Sequence, residues 1–463
     1  MKRTWQMSEG GIGKGLLVFL LLVVALIIVL GVKVFSRAAP TIQLQDQVKG
    51  IGENTPLVIR VTDASHRLRH IEVRVQQGER TFGVMESNLD IPPWWKFWSS
   101  VGRKEAEFKT HVGRKQIAEL QEGRATLHIT ATNDSWGRFF RGGLSEVRLD
   151  LPVDFTPPEV QVLSFPHYVN LGGSELVVFK VSEGTADAGV QVGDCFFPSW
   201  PVKESLPETR LCLFSFPYNI DPKTPARILA RDEAGNEALV NFTYRVFPKT
   251  FTKDTINITD DFIARVVPPI LRQSPELTDQ GSPFKNFLLV NGRLREINAQ
   301  QLIAYSRKTS PNFLWTKPFV QLSNSKVEAA FADRRTYLYN GEVIDHQDHL
   351  GFDLAVTEHI PVVAANDGTV VHAGNLGIYG NAIVLDHGCG LQSLYGHLSS
   401  IDVKVGESVK RGQVMGRSGQ TGLAAGDHLH FTMLLDGIPV NPVEWWDAHW
   451  IHDRIEAKLA AYR

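Results

Sequence analysis

Cysteine and net charge are both in short supply. Three cysteines in 463 residues exclude a disulfide scaffold. Lys and Arg together number 48 against 50 Asp and Glu, so the formal charge is -2 and no global basic field favours nucleic acid as a partner. Apolar residues, at 43%, are ample for globular cores, which excludes a disordered or fibrous chain. At roughly 150 residues per domain, the length predicts about three compact units. Fifteen histidines against three cysteines turn attention to imidazole chemistry.

One long apolar run stands out. Leu16 to Val32 is uncharged, rich in Leu, Val and Ile, bounded by Lys14 and Lys33 and preceded by Lys2 and Arg3. At ~1.5 Å per residue it reaches roughly 26 Å, which predicts a single transmembrane anchor over 16–36 behind a cytoplasmic tail, 1–15. A cleaved signal peptide is the competing reading, because Ala38-Ala39-Pro40 follows. Either reading exports the remainder, and the anchor predicts an N-in, C-out chain.

From Pro40 to Phe247, short runs of Val, Ile, Thr and Phe are broken by Gly, Asn, Asp and Pro, the pattern of antiparallel sandwiches. Two copies of one unit are visible. Each opens on a proline (Pro40 and Pro158), continues through an apolar run (Leu57 to Val61 and Leu176 to Val181) and closes on another (Ile129 to Ala131 and Ile228 to Ala230). This predicts immunoglobulin-like sandwiches over 40–154 and 155–248. The first copy carries an insertion around Ile91-Pro92-Pro93-Trp94-Trp95-Lys96-Phe97-Trp98, which either packs on a neighbouring domain or meets a membrane interface or glycan. Cys195 and Cys212 are expected to close a short disulfide loop in an oxidising exterior, the alternative being two buried thiols. Cys389, alone in a turn, reads as a small structural residue.

A helical connector is predicted over 249–318. Thr259-Asp260-Asp261 is a capping signal before Phe262, Ile263, Val266 and Val267, and a second helix is expected around Ala299 to Arg307. Pro268-Pro269, Pro275 and Pro283 should break the segment. Strand and glycine-turn patterns return over 319–450, the domain expected to do the chemistry, and a C-terminal helix is predicted over 451–463.

Three short segments of that domain supply histidine: His349-Leu-Gly-Phe-Asp353, Leu394-Tyr-Gly-His397-Leu-Ser399, and Gly426-Asp-His428-Leu-His430. A zinc hydrolase needs about three N or O ligands, an open position and nearby proton carriers. On a strand, His428 and His430 leave the same face about 6.6–7 Å apart, so one can bind metal while the other faces the reacting carbonyl. His349 and Asp353 would stand roughly 13 Å apart on a straight strand, and Gly351 supplies a bend that can bring them together. Each pair alone is a weak signal; the three segments with their glycines carry the metal reading jointly. His346, His359, His372 and His387 lack that context and read as structural.

The stretch from Phe331 to Trp446 resembles the LytM/lysostaphin-type zinc endopeptidases of peptidoglycan. The resemblance rests on His349-x-Gly-x-Asp353, Pro361-Val362-x-Ala364-Ala365-x-Asp367-Gly368, Tyr379-Gly380-Asn381, the Leu394 to Ser399 segment, Val403-x-Val405-Gly406-x-x-Val409-x-x-Gly412, and Gly419-x-Thr421-Gly422 leading to His428-Leu-His430. It implies that His349, Asp353 and His430 hold zinc and that His397 and His428 are the catalytic pair beside it. A duplicated-hybrid-motif, mainly antiparallel β fold with an open peptide groove is also implied. Many relatives carry proline where this chain has Asp427, whose carboxylate either orients an imidazole or faces solvent.

The resulting expectation is a membrane-anchored zinc metalloendopeptidase cutting peptidoglycan peptide cross-links, either D-alanyl-diaminopimelate bonds or glycine bridges. It would sit as a single-pass protein in the bacterial inner membrane, its catalytic domain in the periplasm or cell-wall space, with cell-envelope proteins as further partners. The alternative is a silent scaffold that activates a separate cell-wall amidase. An active enzyme covered by its own connector is a third possibility.

Overall fold

Alternating inward and outward residues build the first unit, as the strand Thr55–Thr62 illustrates by burying Leu57, Ile59 and Val61 while Pro56, Val58 and Arg60 turn outward. The computed structural model describes residues 39–91, 102–135, 142–355 and 357–462, together with 19–25, 27, 28 and 31. The chain divides into two compact units, Met1–Pro157 with Arg231–Glu237, and Pro158–Ala230 with Ala238–Arg463.

The expected membrane anchor is overturned: among the described residues, no helix is long and apolar enough to cross a membrane. Of this stretch, residues 19–25, 27, 28 and 31 are described, and they are helical. The fold class loses its transmembrane element, and the single-pass inner-membrane localisation and the membrane as a partner fall with it. The cytoplasmic tail expected at 1–15 and the Trp94 to Trp98 insertion lie outside the described residues.

In the first unit a three-stranded sheet (Thr41–Leu44, Thr55–Thr62, Glu105–Val112) shares a core with a four-stranded one (Arg80–Asn88, Leu68–Gln77, Gly123–Asn133, Leu144–Val153). The second sandwich pairs Thr209–Ser215 with Ser174–Val181 in one sheet and Thr185–Val192 with Cys195–Pro198 in the other. The disulfide expectation is corrected by the state of the two thiols. Cys195 and Cys212 are both free thiols, carried on strands of different sheets.

Residues after the second sandwich begin with a strand, Lys253–Ile258, that pairs in parallel with Asp333–Tyr339. Thr259 caps the helix Asp260–Gln273 by accepting the Phe262 N–H at 3.2 Å. Pro268 and Pro269, expected to break the segment, lie inside this helix. Their lost hydrogen bonds are offset by an apolar face, Ile263, Val266, Val267 and Ile270, all buried. The next helices are Pro283–Leu289, a π turn at Val290–Leu294, and Arg295–Ser306.

An eight-stranded sheet dominates the C-terminal region. It runs Lys326–Ala329, Phe352–Ala355, His428–Leu435, Leu391–Gly396, Asn381–Gly388, Gly368–Asn375 and Ser408–Val409, with Ile438–Val440 paired to His428–Leu435. Short helices from Pro442 to Tyr462 follow. The second sandwich and the large sheet contribute to one continuous core, from Val169 to Leu459.

Candidate metal centre

Strand register assembles the site. Phe352–Ala355 pairs with His428–Leu435 so that Asp353 lies opposite His430, and on the other flank Gly396, the residue before His397, also lies opposite His430. His349 ends the strand Glu342–His349, which belongs to a different sheet, and the chain crosses between sheets at Leu350-Gly351. Gly351 serves close approach: a Cβ there would lie 2.6 Å from His430 Nε2 and 2.7 Å from the Phe431 carbonyl.

Three ligand atoms converge. His349 Nε2 lies 2.9 Å from Asp353 Oδ1 and 3.0 Å from His430 Nδ1, and His430 Nδ1 lies 3.0 Å from Asp353 Oδ1. All three side chains are largely buried. Their outer hydrogen bonds fix the tautomers. His349 Nδ1–H donates to the Ala330 carbonyl at 3.1 Å, leaving Nε2 bare. The Thr432 hydroxyl donates to the Leu350 carbonyl at 2.8 Å, so it accepts from His430 Nε2–H at 2.9 Å and leaves Nδ1 bare. Two lone pairs and a carboxylate oxygen therefore face one another, an arrangement satisfied by a cation. Ligand atoms of a tetrahedral shell with ~2.0–2.1 Å bonds stand about 3.3 Å apart, so the donor set fits a small divalent ion.

Two further imidazoles flank the cluster. His428 Nε2 is 3.4 Å from Asp353 Oδ1 while its Nδ1–H donates to the Gly426 carbonyl at 2.8 Å. His397 lies with its ring 4.7 Å from that of His428, its Nδ1–H donating to the Thr421 carbonyl at 2.8 Å. Its backbone φ of 63° is left-handed, an uncommon conformation for a non-glycine residue, and its N–H donates to the Tyr379 carbonyl at 2.7 Å.

Burial works to raise the Asp353 carboxyl pKa, but the imidazoles of His349, His428 and His430 hold it well below the usual carboxylate range. His397 is pushed well below the ordinary imidazole range, first by burial and then by its two histidine neighbours. Burial also lowers His430, to about 4. For His428, burial is outweighed by the hydrogen bond and charge of Asp353, and its pKa rises.

These five residues line a groove of about 930 Å³ whose far wall is the strand Lys253–Ile258 and the start of the helix Asp260–Gln273. Arg265 donates to the Ala425 carbonyl at 3.0 Å. The remaining expected positions lie elsewhere. His346 is exposed, His372 stacks on Tyr305 at 5.0 Å, and His387 is buried against the Asp367 carbonyl and Ser393. Asp427 orients neither His428 nor His430; it accepts the His359 N–H at 3.1 Å. Sequence reasoning missed Thr432, Arg335 and the carbonyls of Ala330, Thr421 and Gly426. Thr432 carried a signal, since it is two residues from His430 and on the same strand face. Arg335, whose Nη2 lies 3.1 Å from Asp353 Oδ2, carried none.

A His-Asp-His cluster capable of coordinating a metal ion, with two more imidazoles in a groove on an antiparallel sheet, defines a metallopeptidase-type centre. The model of peptidase family M23 matches residues 347–442, and through this C-terminal domain the chain belongs to the M23, LytM/lysostaphin-type family of peptidoglycan metalloendopeptidases. Among its relatives, the DD-carboxypeptidase/endopeptidase Mpg of Neisseria meningitidis serogroup B is 42% identical over 95 residues, covering 20% of this chain and 22% of the relative. The peptidoglycan DD-endopeptidase ShyA of Vibrio cholerae is 30% identical over 172 residues, 37% of each chain. This chain thus spans well under half the length of either. The catalytic domain of the antimicrobial peptidase lysostaphin from Staphylococcus simulans is 32% identical, with 27% of this chain and 92% of that chain covered and a TM-score of 0.24.

Proposed function

We propose that this protein is a zinc metalloendopeptidase that hydrolyses peptide cross-links of peptidoglycan. The observation that carries the reading is the convergence of three unprotonated ligand atoms, His349 Nε2, Asp353 Oδ1 and His430 Nδ1, within 3.0 Å of one another on the wall of an open groove. Zinc held there would act as a Lewis acid on the substrate carbonyl and lower the pKa of water toward neutrality. His397 and His428 do the rest. With its Nδ1–H tied to the Thr421 carbonyl, His397 keeps an Nε2 lone pair that can take a proton from water, and His428, whose Nε2 faces Asp353 Oδ1 at 3.4 Å, is the second ring able to carry a proton to the leaving amine. Protonated, either ring can donate to the developing oxyanion. The names of the Neisseria and Vibrio relatives favour a D,D bond as the one cut.

The test is purified peptidoglycan incubated with the protein, with and without a chelator, and the products weighed. The expected products are stem peptides freed at their cross-links, lost with chelator and restored by zinc. Digestion unaffected by chelator, or none until a separate amidase is added, would overturn the reading.

A further inference from the structure

The Asp353 carboxylate divides its two oxygens between different tasks. Oδ1 meets His349, His430 and His428 at 2.9, 3.0 and 3.4 Å. Oδ2 is taken by Arg335, whose Nη2 lies 3.1 Å away. Arg335 sits on Asp333–Tyr339, where backbone register places it between Asp254 of the preceding strand and Gln347 of the following one. It is mostly buried, at 18% side-chain exposure, and lines the same groove as the cluster. Among the described residues its Nε has no hydrogen-bond partner, and its ion pair is the one with Asp353.

We infer that Arg335 is a positioning residue for the metal: by occupying Oδ2 it presents Asp353 through Oδ1 alone and holds that oxygen aimed at the two imidazoles before the ion arrives. This rests on the metallopeptidase reading of the same cluster. Guanidinium stays charged at any working pH. One-oxygen binding by Asp353 also leaves more of the coordination shell to water and substrate, which a two-oxygen grip would crowd. Lys at 335 would keep the charge but lose the planar fork that holds the oxygen in place.

The test measures zinc affinity by chelator competition, together with kcat and KM at saturating zinc, for the full chain and for Arg335→Gln, Arg335→Lys, Asp353→Asn and the Arg335→Gln/Asp353→Asn double variant. Arg335→Gln is expected to bind zinc about 10- to 100-fold more weakly, the range for groups that orient a ligand, with kcat lowered and KM nearly unchanged. Arg335→Lys should recover part of the affinity. In the Asp353→Asn background, Arg335→Gln should add less than about twofold, because its partner is already neutral. Zinc binding by Arg335→Gln that is unchanged or tighter overturns the inference, as does an equal loss with and without Asp353. Should Arg335→Gln fail to fold, Arg335→Lys decides alone, and wild-type affinity and turnover there overturn it. A parent chain that binds no zinc would instead sink the metallopeptidase reading.

Discussion

Each histidine of the site is held by a different carbonyl or hydroxyl, which separates what its removal should do. His430 contributes a bare Nδ1 to the cluster, and His430→Ala is expected to lose bound zinc by metal analysis. His397 and His428 contribute no atom to the three-ligand set, so His397→Ala or His428→Ala should keep zinc and lose turnover by about 10²–10⁴, the usual worth of a positioned acid or base. Full zinc in purified His430→Ala would contradict the assignment. Gly351→Ala should behave like a ligand variant without removing a ligand, since the added methyl would press on His430 Nε2 and displace the ring. His387, which contacts the Asp367 carbonyl and Ser393 and is no part of the three-ligand cluster, makes a separate prediction. It is buried, and desolvation lowers its pKa to about 4, against 6.5 for an exposed imidazole. Between those values the unfolded chain binds the proton and the folded one does not, so stability falls as pH drops from 6.5 toward 4, by at most about 3 kcal/mol. Denaturant unfolding of His387→Gln should show a shallower acid limb than the parent; parallel limbs would refute this.

At the scale of elements, the residues before Phe319 are woven into the sheet and walls that carry the site. Lys253–Ile258 pairs with Asp333–Tyr339 over six residues, Asn298 accepts the Ile378 N–H at 3.0 Å, and Thr309 donates to Asp386 at 2.7 Å. A chain beginning at Phe319 would expose the edge of Asp333–Tyr339, the strand bearing Arg335, and strip support from the 377–379 turn that carries Tyr379. It is expected to melt at lower temperature and to gain no digestion rate. A stable truncated chain that cuts faster would favour a covering role for the connector. The same elements mark how far the sequence could be read. Thr259 was legible as a cap because capping is local, whereas strand period and the Gly351 bend only made a meeting of the three histidine segments possible, the roles of their five residues being what the family resemblance implied. The parallel pairing of Lys253–Ile258 was not, because its partner is about 80 residues away and its alternation is weak, with only Ile258 buried. Pro268-Pro269 misled for a related reason: the apolar face that offsets their broken hydrogen bonds is packed by distant residues. Arg335 was invisible because the sheet crossing at Leu350-Gly351, not sequence distance, delivers it to Asp353.

Across the larger unit, the second sandwich and the C-terminal domain are joined by buried polar links as well as by their common core. Glu444 accepts from Asn170 Nδ2 at 2.8 Å and from the Ser174 N–H at 2.7 Å. Lys458, on the C-terminal helices, donates to Glu175 at 2.7 Å, with side-chain exposures of 6% and 0%. Burial raises the Glu175 pKa even though Lys458 and two backbone N–H groups work against it. Lys458→Met would keep the stem's packing and remove the charge that most offsets this burial. Breaking a buried pair from one side costs about 3–5 kcal/mol when the orphaned group stays charged. Glu175 can escape part of that cost by taking a proton, and only where protons are available. Its folded pKa would then lie further above the unfolded value of 4.5, so the folded state binds more protons than the unfolded one and stability drops as pH rises through that window. The melting temperature of Lys458→Met should therefore fall below that of the parent by more at pH 8 than at pH 5. Because one core runs through both parts, sandwich and catalytic domain should unfold in a single transition at either pH. A pH-independent difference, or a sandwich that melts separately while the catalytic domain remains folded, would show that the pair does not couple them.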